Sequence, residues 1–460
     1  MKKIIYILLL TITFSSCQKW LDIKPEGEVP EDEAVKNQED LNRILNSSYD
    51  AAANHYSGRI QFFNELLGDN LEKPQSGFTV PIYQRTTNYF NSDVSSLYND
   101  MYHVIFRLNF LLEKVKDGSI KVDDAFKVRA SAEARFLRAM VHFDIVRLWA
   151  QPYGFTSNNT HPGIVIRDNL NTQSEARSSV ADVYAFIIAD LNAAIEDLPE
   201  SNSVYATKDA AKALLAKVRF QSNDFTNTVI LCNELLAKYP LDTTLNRFEN
   251  ALSSPEKIFA FVSTGVGDNR ASTYINNYRV VNPTNPPPNR LSKSLYLEAT
   301  ADTADKRSKY YLIFNAGESS ETYGITKFNF DYLSNPISYS SQLVLMRAEA
   351  LLKSGGSTTQ ALADVNAIIE RAYGNKNYNV PDGTNINDVL AMIRKQRRLE
   401  FPLEGVRTQD LKRIGALEDP TGSGFVTIRN SKWNCPGLAL QFPVNENTSI
   451  FEFNPEGGCE

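Results

Sequence analysis

Two stretches of this chain gather aromatic rings beside amide, carboxylate and guanidinium groups. The first holds Asp69, Asn70, Phe78, Tyr83, Gln84, Arg85, Asn88, Tyr89 and Phe90. The second holds Tyr274, Asn276, Asn277, Tyr278 and Arg279. A sugar ring has apolar C–H faces and polar edges. Aromatic platforms cover the faces, and Asn, Asp, Arg or Gln side chains bond the edges. On that chemistry Asp69, Asn70, Tyr83, Arg85, Tyr89, Tyr274, Asn277 and Tyr278 are the candidate ligand-binding residues. The competing expectation is that each ring packs beneath its own loop.

Other chemistries find less support. The sequence has no G-x-S-x-G elbow, no Walker A loop and no H-E-x-x-H. Gly265–Val266–Gly267–Asp268–Asn269–Arg270 starts like a dinucleotide loop but lacks the third Gly. His55, His103, His142 and His161 are scattered, and no pair has zinc spacing. His142 lies one place off an apolar stripe, which predicts a packed or hydrogen-bonded imidazole. No metal, no cofactor and no catalysis are expected. A formal charge of -6 leaves no basic footprint for nucleic acid. The 42% hydrophobic and 22% charged fractions exclude a wholly disordered or polytopic membrane chain.

Helices must position these groups. Ala130, Ala134, Leu137, Val141, Ile145 and Leu148 recur at steps of three and four, the face of one long helix closed by Gln151–Pro152–Tyr153–Gly154. Val180 to Leu198 reads as a second, capped by Ser178 or Ser179 and stopped by Pro199. Lys208 to Pro240 resembles a tetratricopeptide helix pair turning at Asn223–Asp224. Gln342–Lys353 and Thr359–Tyr373 form a related pair. Such pairs bury their apolar faces by stacking on neighbours. Leu241 to Pro336 differs, being rich in Asn, Ser, Thr, Tyr and Pro. It holds the polyproline-like loop Asn282–Asn289 and the strand-like run Lys257–Val262. Asn70 to Asn91 is a second irregular stretch.

The chain starts with Met1–Lys2–Lys3, an apolar run from Ile4 to Ile12, and Phe14–Ser15–Ser16–Cys17. That arrangement resembles a bacterial lipoprotein signal, with Cys17 as the lipidated residue and 17–30 as an extended tether. An ordinary signal peptide is the alternative. Cys232 sits in an apolar helical pattern and is expected to be a buried thiol. Cys435 and Cys459 remain as a candidate structural disulfide, with two free thiols as the alternative. Arg394–Lys395–Gln396–Arg397–Arg398, with Glu400, Glu404 and Asp410 nearby, predicts a partly buried ion network tying the C-terminal helices to the scaffold. Trp20, Trp149 and Trp433 are expected to be structural.

Several segments together resemble the SusD/RagB family. They are Trp20–Leu21–Asp22–Ile23–Lys24–Pro25, Ala134–Arg135–Phe136–Leu137–Arg138–Ala139, and Phe143–Asp144–Ile145–Val146–Arg147–Leu148–Trp149. Asp305–Lys306–Arg307, Leu345–Leu352, Ala361–Ala372, Arg397–Glu400 and Glu404–Arg413 continue the likeness, and Phe442–Pro443–Val444 with Asn454–Gly457 closes it. Pro402, Val406 and Thr408–Gln409 depart from the family pattern at structural positions. The resemblance implies a mostly α fold, a tetratricopeptide-like helical-repeat scaffold with an irregular loop-rich ligand-binding subregion. Residues 31–460 would form one such domain after a signal at 1–16. Its scaffold would lie at 31–240 and 340–415, its loop-rich region at 241–336 and its tail at 416–460. It implies that the two aromatic stretches meet on one face. It also implies a lipid-anchored protein on the outer membrane, facing the cell exterior. That protein captures oligosaccharide or polysaccharide, does not cleave it, and delivers it to a TonB-dependent outer-membrane channel. Peptide capture within the same family, a lipid-anchored hydrolase and a protein-only helical-repeat scaffold are the alternatives.

Overall fold

A computed structural model describes residues 35–249 and 251–459. The segment 1–16, Cys17, Trp20 and the 17–30 tether lie outside the described residues. The first half of the chain runs through α1 (Gln38–His55), α2 (Arg59–Leu67), α3 (Thr79–Gln84), α4 (Ser92–Asp117), α5 (Asp124–Trp149), α6 (Val180–Asp197), α7 (Lys208–Gln221) and α8 (Phe225–Leu236). Polar caps set most of their starts. Asn37, Asn91, Asp123, Ser179, Thr207 and Asp224 each accept from the backbone N–H three residues on. Each such cap contributes about 1 kcal/mol.

The stripe from Ala130 to Leu148 is buried in α5, as its spacing predicts. Most of the opposite face is buried too, because α1, α4 and α6 surround the helix. Several of the polar groups trapped there find specific partners. Arg138 donates to both oxygens of Asp190 on α6, at 2.7 and 2.8 Å. His142 pairs through Nδ1 with the Arg138 carbonyl at 2.9 Å and accepts from the Arg167 N–H. Asp144 accepts from Tyr56 Oη and Arg147.

After Leu236 the chain leaves the helical stack. It forms β1 (Lys257–Phe261), α9 (Ser272–Tyr278), α10 (Lys293–Thr300), a 3-10 turn (Lys306–Tyr310), β2 (Tyr311–Phe314), β3 (Thr322–Ile325) and β4 (Asn335–Tyr339). β1 pairs antiparallel with β4, Lys257 opposite Tyr339 and Phe261 opposite Asn335, so the excursion is closed at its neck. β2 and β3 make a second antiparallel pair. The stack then resumes with α11 (Ser340–Lys353), α12 (Thr358–Tyr373), α13 (Ile386–Glu400) and α14 (Arg407–Glu418). α11 packs on α8 and α12 packs on α11, so the paired helices continue across the insertion. This mostly α, helical-repeat architecture is the fold that the sequence predicts. No helix among the described residues is long and apolar enough to cross a membrane.

Ion pairs lock the insertion to the stack. Glu400 on α13 accepts from Arg371 at 2.6 Å, Arg247 at 2.7 Å and Arg307 at 3.2 Å. Burial alone would raise its pKa, but the three guanidinium groups hold it well below the usual carboxylate range. Arg247 and Lys327, both from the insertion, also pair with Glu404. The expected network therefore exists, with Arg397–Asp410 as the spacing suggests but with Glu400 and Glu404 taken by residues outside the basic run. Of the basic run itself, Arg397 pairs with Asp410, Arg394 with Glu418 and Arg398 with Glu298.

The tail folds back over α5 and α14. Its hairpin β5 (Thr427–Ile428) and β6 (Ser431–Lys432) turns at Arg429–Asn430, both at positive φ. Cys435 and Cys459 are joined by a disulfide, while Cys232 is a buried free thiol. Leu440 N–H donates to the Leu148 carbonyl at 2.8 Å. Trp433 is wholly buried and lies so close to Gly415 that a Cβ there has no room.

Candidate functional site

The loop carrying Asp69 and Asn70 is joined, mainly through backbone, to the loop that follows the second aromatic stretch. Leu71 and Leu291 form an antiparallel bridge, and Leu291 bridges onward to Tyr323. Glu72 N–H donates to the Arg290 carbonyl at 2.9 Å, and Ser292 N–H donates to the Asn70 carbonyl at 2.8 Å. Ser292 Oγ adds a bond to the Asp69 carbonyl at 2.8 Å, and Thr322 Oγ1 donates to Glu72 at 2.8 Å. The loop after α2 and the loop before α10 are thus one stapled surface.

Of the predicted residues, those nearest this staple are structural. Asp69 accepts a bidentate pair from Arg407 on α14, 2.9 Å at each oxygen. Burial would raise the Asp69 pKa, but Arg407 and Arg398 hold it down. Asn70 is fully buried, donating to Glu65 at 3.0 Å and accepting from Arg398 at 3.2 Å. Glu65 lies beneath it, and burial pushes its carboxyl up to about 7 despite bonds from Asn70 and the Gly405 N–H. Arg85 is buried as well, donating to the Leu67 and Ile428 carbonyls at 2.9 and 2.8 Å. Burial and the neighbouring Arg429 lower its pKa to about 9.

Tyr274 and Tyr278 do not form a platform. They are among the most buried rings of the chain, at 1% exposure each. Tyr274 stacks on Phe328 with ring centres 4.7 Å apart and meets Phe248 edge-on at 5.5 Å. The expectation of an exposed pair fails because α9 turns this face inward onto α2. Tyr274 there lies against Gly58, the residue that opens α2. Asn277 is half-buried, its amide donating to Thr273 and accepting from Asn289. For these residues the competing expectation, rings packed beneath their own loops, is the one the structure shows.

Tyr83 and Tyr89 keep accessible rings. Tyr89 is 38% exposed and packs beside Phe90 and, at 6.1 Å, the tail residue Phe453. Tyr83 belongs to α3, a six-residue helix inside a stretch expected to be irregular. Arg429 from the β5–β6 turn lies 3.7 Å from the centre of its ring and donates to the Tyr83 carbonyl. Phe78, which precedes α3, is 41% exposed and rests on Phe63. Phe425, 80% exposed, leads into β5. Arg429 and Phe425 were not singled out from sequence. The only signal was an Arg–Asn turn between two short β-prone runs. Phe78, Tyr83 with Arg429, and Tyr89 with Phe90 are thus the partly open rings of the first stretch, groups suited to stacking and hydrogen bonding, hereafter the Tyr83 shelf. Nearby, the Asp69 carboxylate is tied up by Arg407, and Glu65 by Asn70 and the Gly405 N–H. Among the described residues no group of three His, Cys, Asp or Glu is placed to hold a metal ion.

Comparison with known proteins gives a consistent picture. A family described as "Starch-binding associating with outer membrane" matches residues 19–220, and the SusD family matches residues 340–448. SusD-like protein P38 of Formosa agariphila is 25% identical, over 91% of this chain and 92% of its own. The fold matches a SusD superfamily protein from Bacteroides vulgatus with a TM-score of 0.78 and 21% identity, covering 92% of this chain and 99% of that one. A structure titled "Laminarin binding SusD-like protein" matches with a TM-score of 0.71 and 21% identity, covering 92% and 100%.

Proposed function

The chain belongs to the SusD/RagB family, and on that premise we propose that it captures glycans on the cell surface and passes them to a TonB-dependent outer-membrane channel. The observation that carries the reading is the stapled loop face with its open rings. A rigid helical stack holds two loops edge to edge, the adjoining Phe78 is open to solvent, and the half-buried Tyr83 carries Arg429 over one ring face, leaving its other face and the guanidinium to meet sugar. Family membership and the similar laminarin-binding protein support a carbohydrate ligand. The basic, apolar and Cys17 pattern at the start of the sequence supports lipid anchoring.

Binding without turnover would rest on weak contacts that add up. Each ring contributes stacking, and each amide or guanidinium on the rim adds a hydrogen bond. Modest affinity suits a handover, because a tightly held glycan would not be released to the channel. Neighbouring copies on a membrane add avidity for a long polymer.

Affinity electrophoresis on a panel of neutral polysaccharides tests the reading. Retardation of the wild type and its loss in a Phe78→Ala/Tyr83→Ala double variant are expected. Absence of retardation on every polysaccharide, or release of reducing sugar from any of them, would sink it. Co-purification of a channel from detergent-solubilised outer membranes tests the delivery step separately.

A further inference from the structure

The helix α4 carries a second aromatic row, away from the shelf. Tyr98, Tyr102 and Phe106 stand four residues apart and so share one helix face. Tyr98 and Tyr102 lie 4.7 Å apart, centre to centre. Phe106, at the outer end, is 40% exposed. This row forms the floor of a cleft of about 370 Å³. Cavities of that size fall within the range of about 300–1,000 Å³ typical of small-molecule sites.

The wall opposite is the 167–173 loop, and it is held rigid from behind. Asn109 on α4 donates to both the Arg167 and Asn169 carbonyls, at 3.1 and 2.9 Å. Within the loop, Asn169 accepts from the Asn171 N–H and Asn171 accepts from the Gln173 N–H. Arg167 donates to the Gln173 carbonyl at 2.6 Å and pairs with Glu175 at 2.7 Å. Tyr102 Oη donates to the Val165 carbonyl at 2.8 Å, fixing the floor to the wall. At one end the tail closes over, with Ser174 and Thr448 hydroxyls 2.9 Å apart. The cleft therefore has its shape before any ligand arrives, which lowers the ordering cost of binding.

Its polar groups have a definite chemistry. The side chains of Asn99 and His103, one helical turn apart on α4, and of Asn445 on the tail make no hydrogen bond to another described residue. All three line the opening. Arg167 is neutralised by Glu175. Glu446 accepts from Tyr98 Oη at 3.3 Å, and burial raises its pKa against the opposing pull of Tyr98 and Arg167. The cleft thus offers ring faces, free amides that donate and accept, and charged groups already engaged, Arg167 by Glu175 and Glu446 by Tyr98. That combination excludes a strongly ionic ligand and matches a neutral polyhydroxylated one.

We propose that this cleft is a second carbohydrate site, taking a short stretch of a neutral glycan on the Tyr102–Phe106 floor. None of Phe78, Tyr83, Tyr89 or Arg429 lines it, so its lining is distinct from the Tyr83 shelf. Two separated sites on one chain bind a polymer more tightly than either alone, provided that the polymer spans both. This inference concerns a different surface from the one argued above and stands or falls apart from it.

Isothermal titration of the mature-length chain with laminaripentaose, maltopentaose, xylopentaose and mannopentaose decides the matter. The wild type is compared with Phe106→Ala/Asn99→Ala, with His103→Ala at the exposed rim, and with Phe78→Ala/Tyr83→Ala. Circular dichroism and melting temperature confirm folding, which a change at the exposed Phe106 leaves intact. The glycan that binds should occupy two sites per chain. The cleft double variant should retain only one and lose about tenfold in affinity for the parent polymer. The shelf variant should retain the other. Unchanged stoichiometry and affinity within twofold in both cleft variants overturn the proposal. So does a single wild-type site that vanishes only in the shelf variant, an outcome that leaves the shelf reading standing. A wild type that binds none of the four overturns the second site, while polysaccharide retardation still tests the first.

Discussion

Arg413 and Glu349 meet 3.0 Å apart with no accessible surface on either side chain. Arg413 lies on α14 and Glu349 on α11, and Phe220 of α7 covers the guanidinium at 4.0 Å. A charge pair sealed this way contributes little net stability, but breaking it is expensive. Glu349→Gln should therefore lower the unfolding free energy by about 3–5 kcal/mol, read as a reduced urea midpoint. A loss under about 1 kcal/mol would mean that Asp410, 3.9 Å from the same guanidinium, takes over.

Core and shelf tyrosines should separate cleanly. Tyr274→Ala removes a ring stacked on Phe328 and should cost about 3–5 kcal/mol. Tyr83→Ala should cost about 1 kcal/mol or less while weakening glycan retention. Thermal melts alongside affinity electrophoresis would show each effect without the other. A stable Tyr274→Ala protein with lost binding would reverse the assignment made above.

The Cys435–Cys459 bond closes a loop of separation 24 and holds the tail against the end of α5. On the chain-entropy estimate it contributes about 3 kcal/mol. Cys459→Ser, or reduction with dithiothreitol, should lower the melting temperature. The loop Gly422–Asn434 should become protease-sensitive first. Identical melts with and without reductant would contradict this.

Acid should loosen the scaffold in a defined window. Burial raises the Glu418 pKa, but Arg394 and Lys353 overcome it and leave it at about 2. A carboxyl depressed on folding contributes stability above its unfolded pKa of about 4.3, and the contribution fades as pH falls toward the folded value. The urea midpoint should fall between about pH 4.5 and pH 2, with a gentler slope in Glu418→Gln. An unchanged slope in that variant would remove Glu418 as a cause.

Regular periodicity made much of the scaffold legible. The α5 stripe, the α7–α8 pair and the α11–α12 pair all follow from apolar spacing, caps and stops. His142 is packed and hydrogen-bonded in α5 as its place beside the stripe predicts, but the burial of Glu133, Arg138 and Asp144 was not legible, because it depends on which helices surround α5. The same limit governed the ligand face. Tyr274, Tyr278, Tyr83 and Tyr89 are alike in composition and local context, and only tertiary packing decides which ring turns inward. Tyr98, Tyr102 and Phe106 left a usable signal, a four-residue aromatic repeat. It reads equally well as a core stripe until the 167–173 wall is seen opposite.

The Leu71–Leu291 bridge has an evolutionary corollary. Main-chain hydrogen bonding is blind to amino-acid type, so the join survives almost any replacement along the loop crests. Ligand preference in descendants of such a chain can therefore drift by point changes at the rim, with the supporting architecture left untouched.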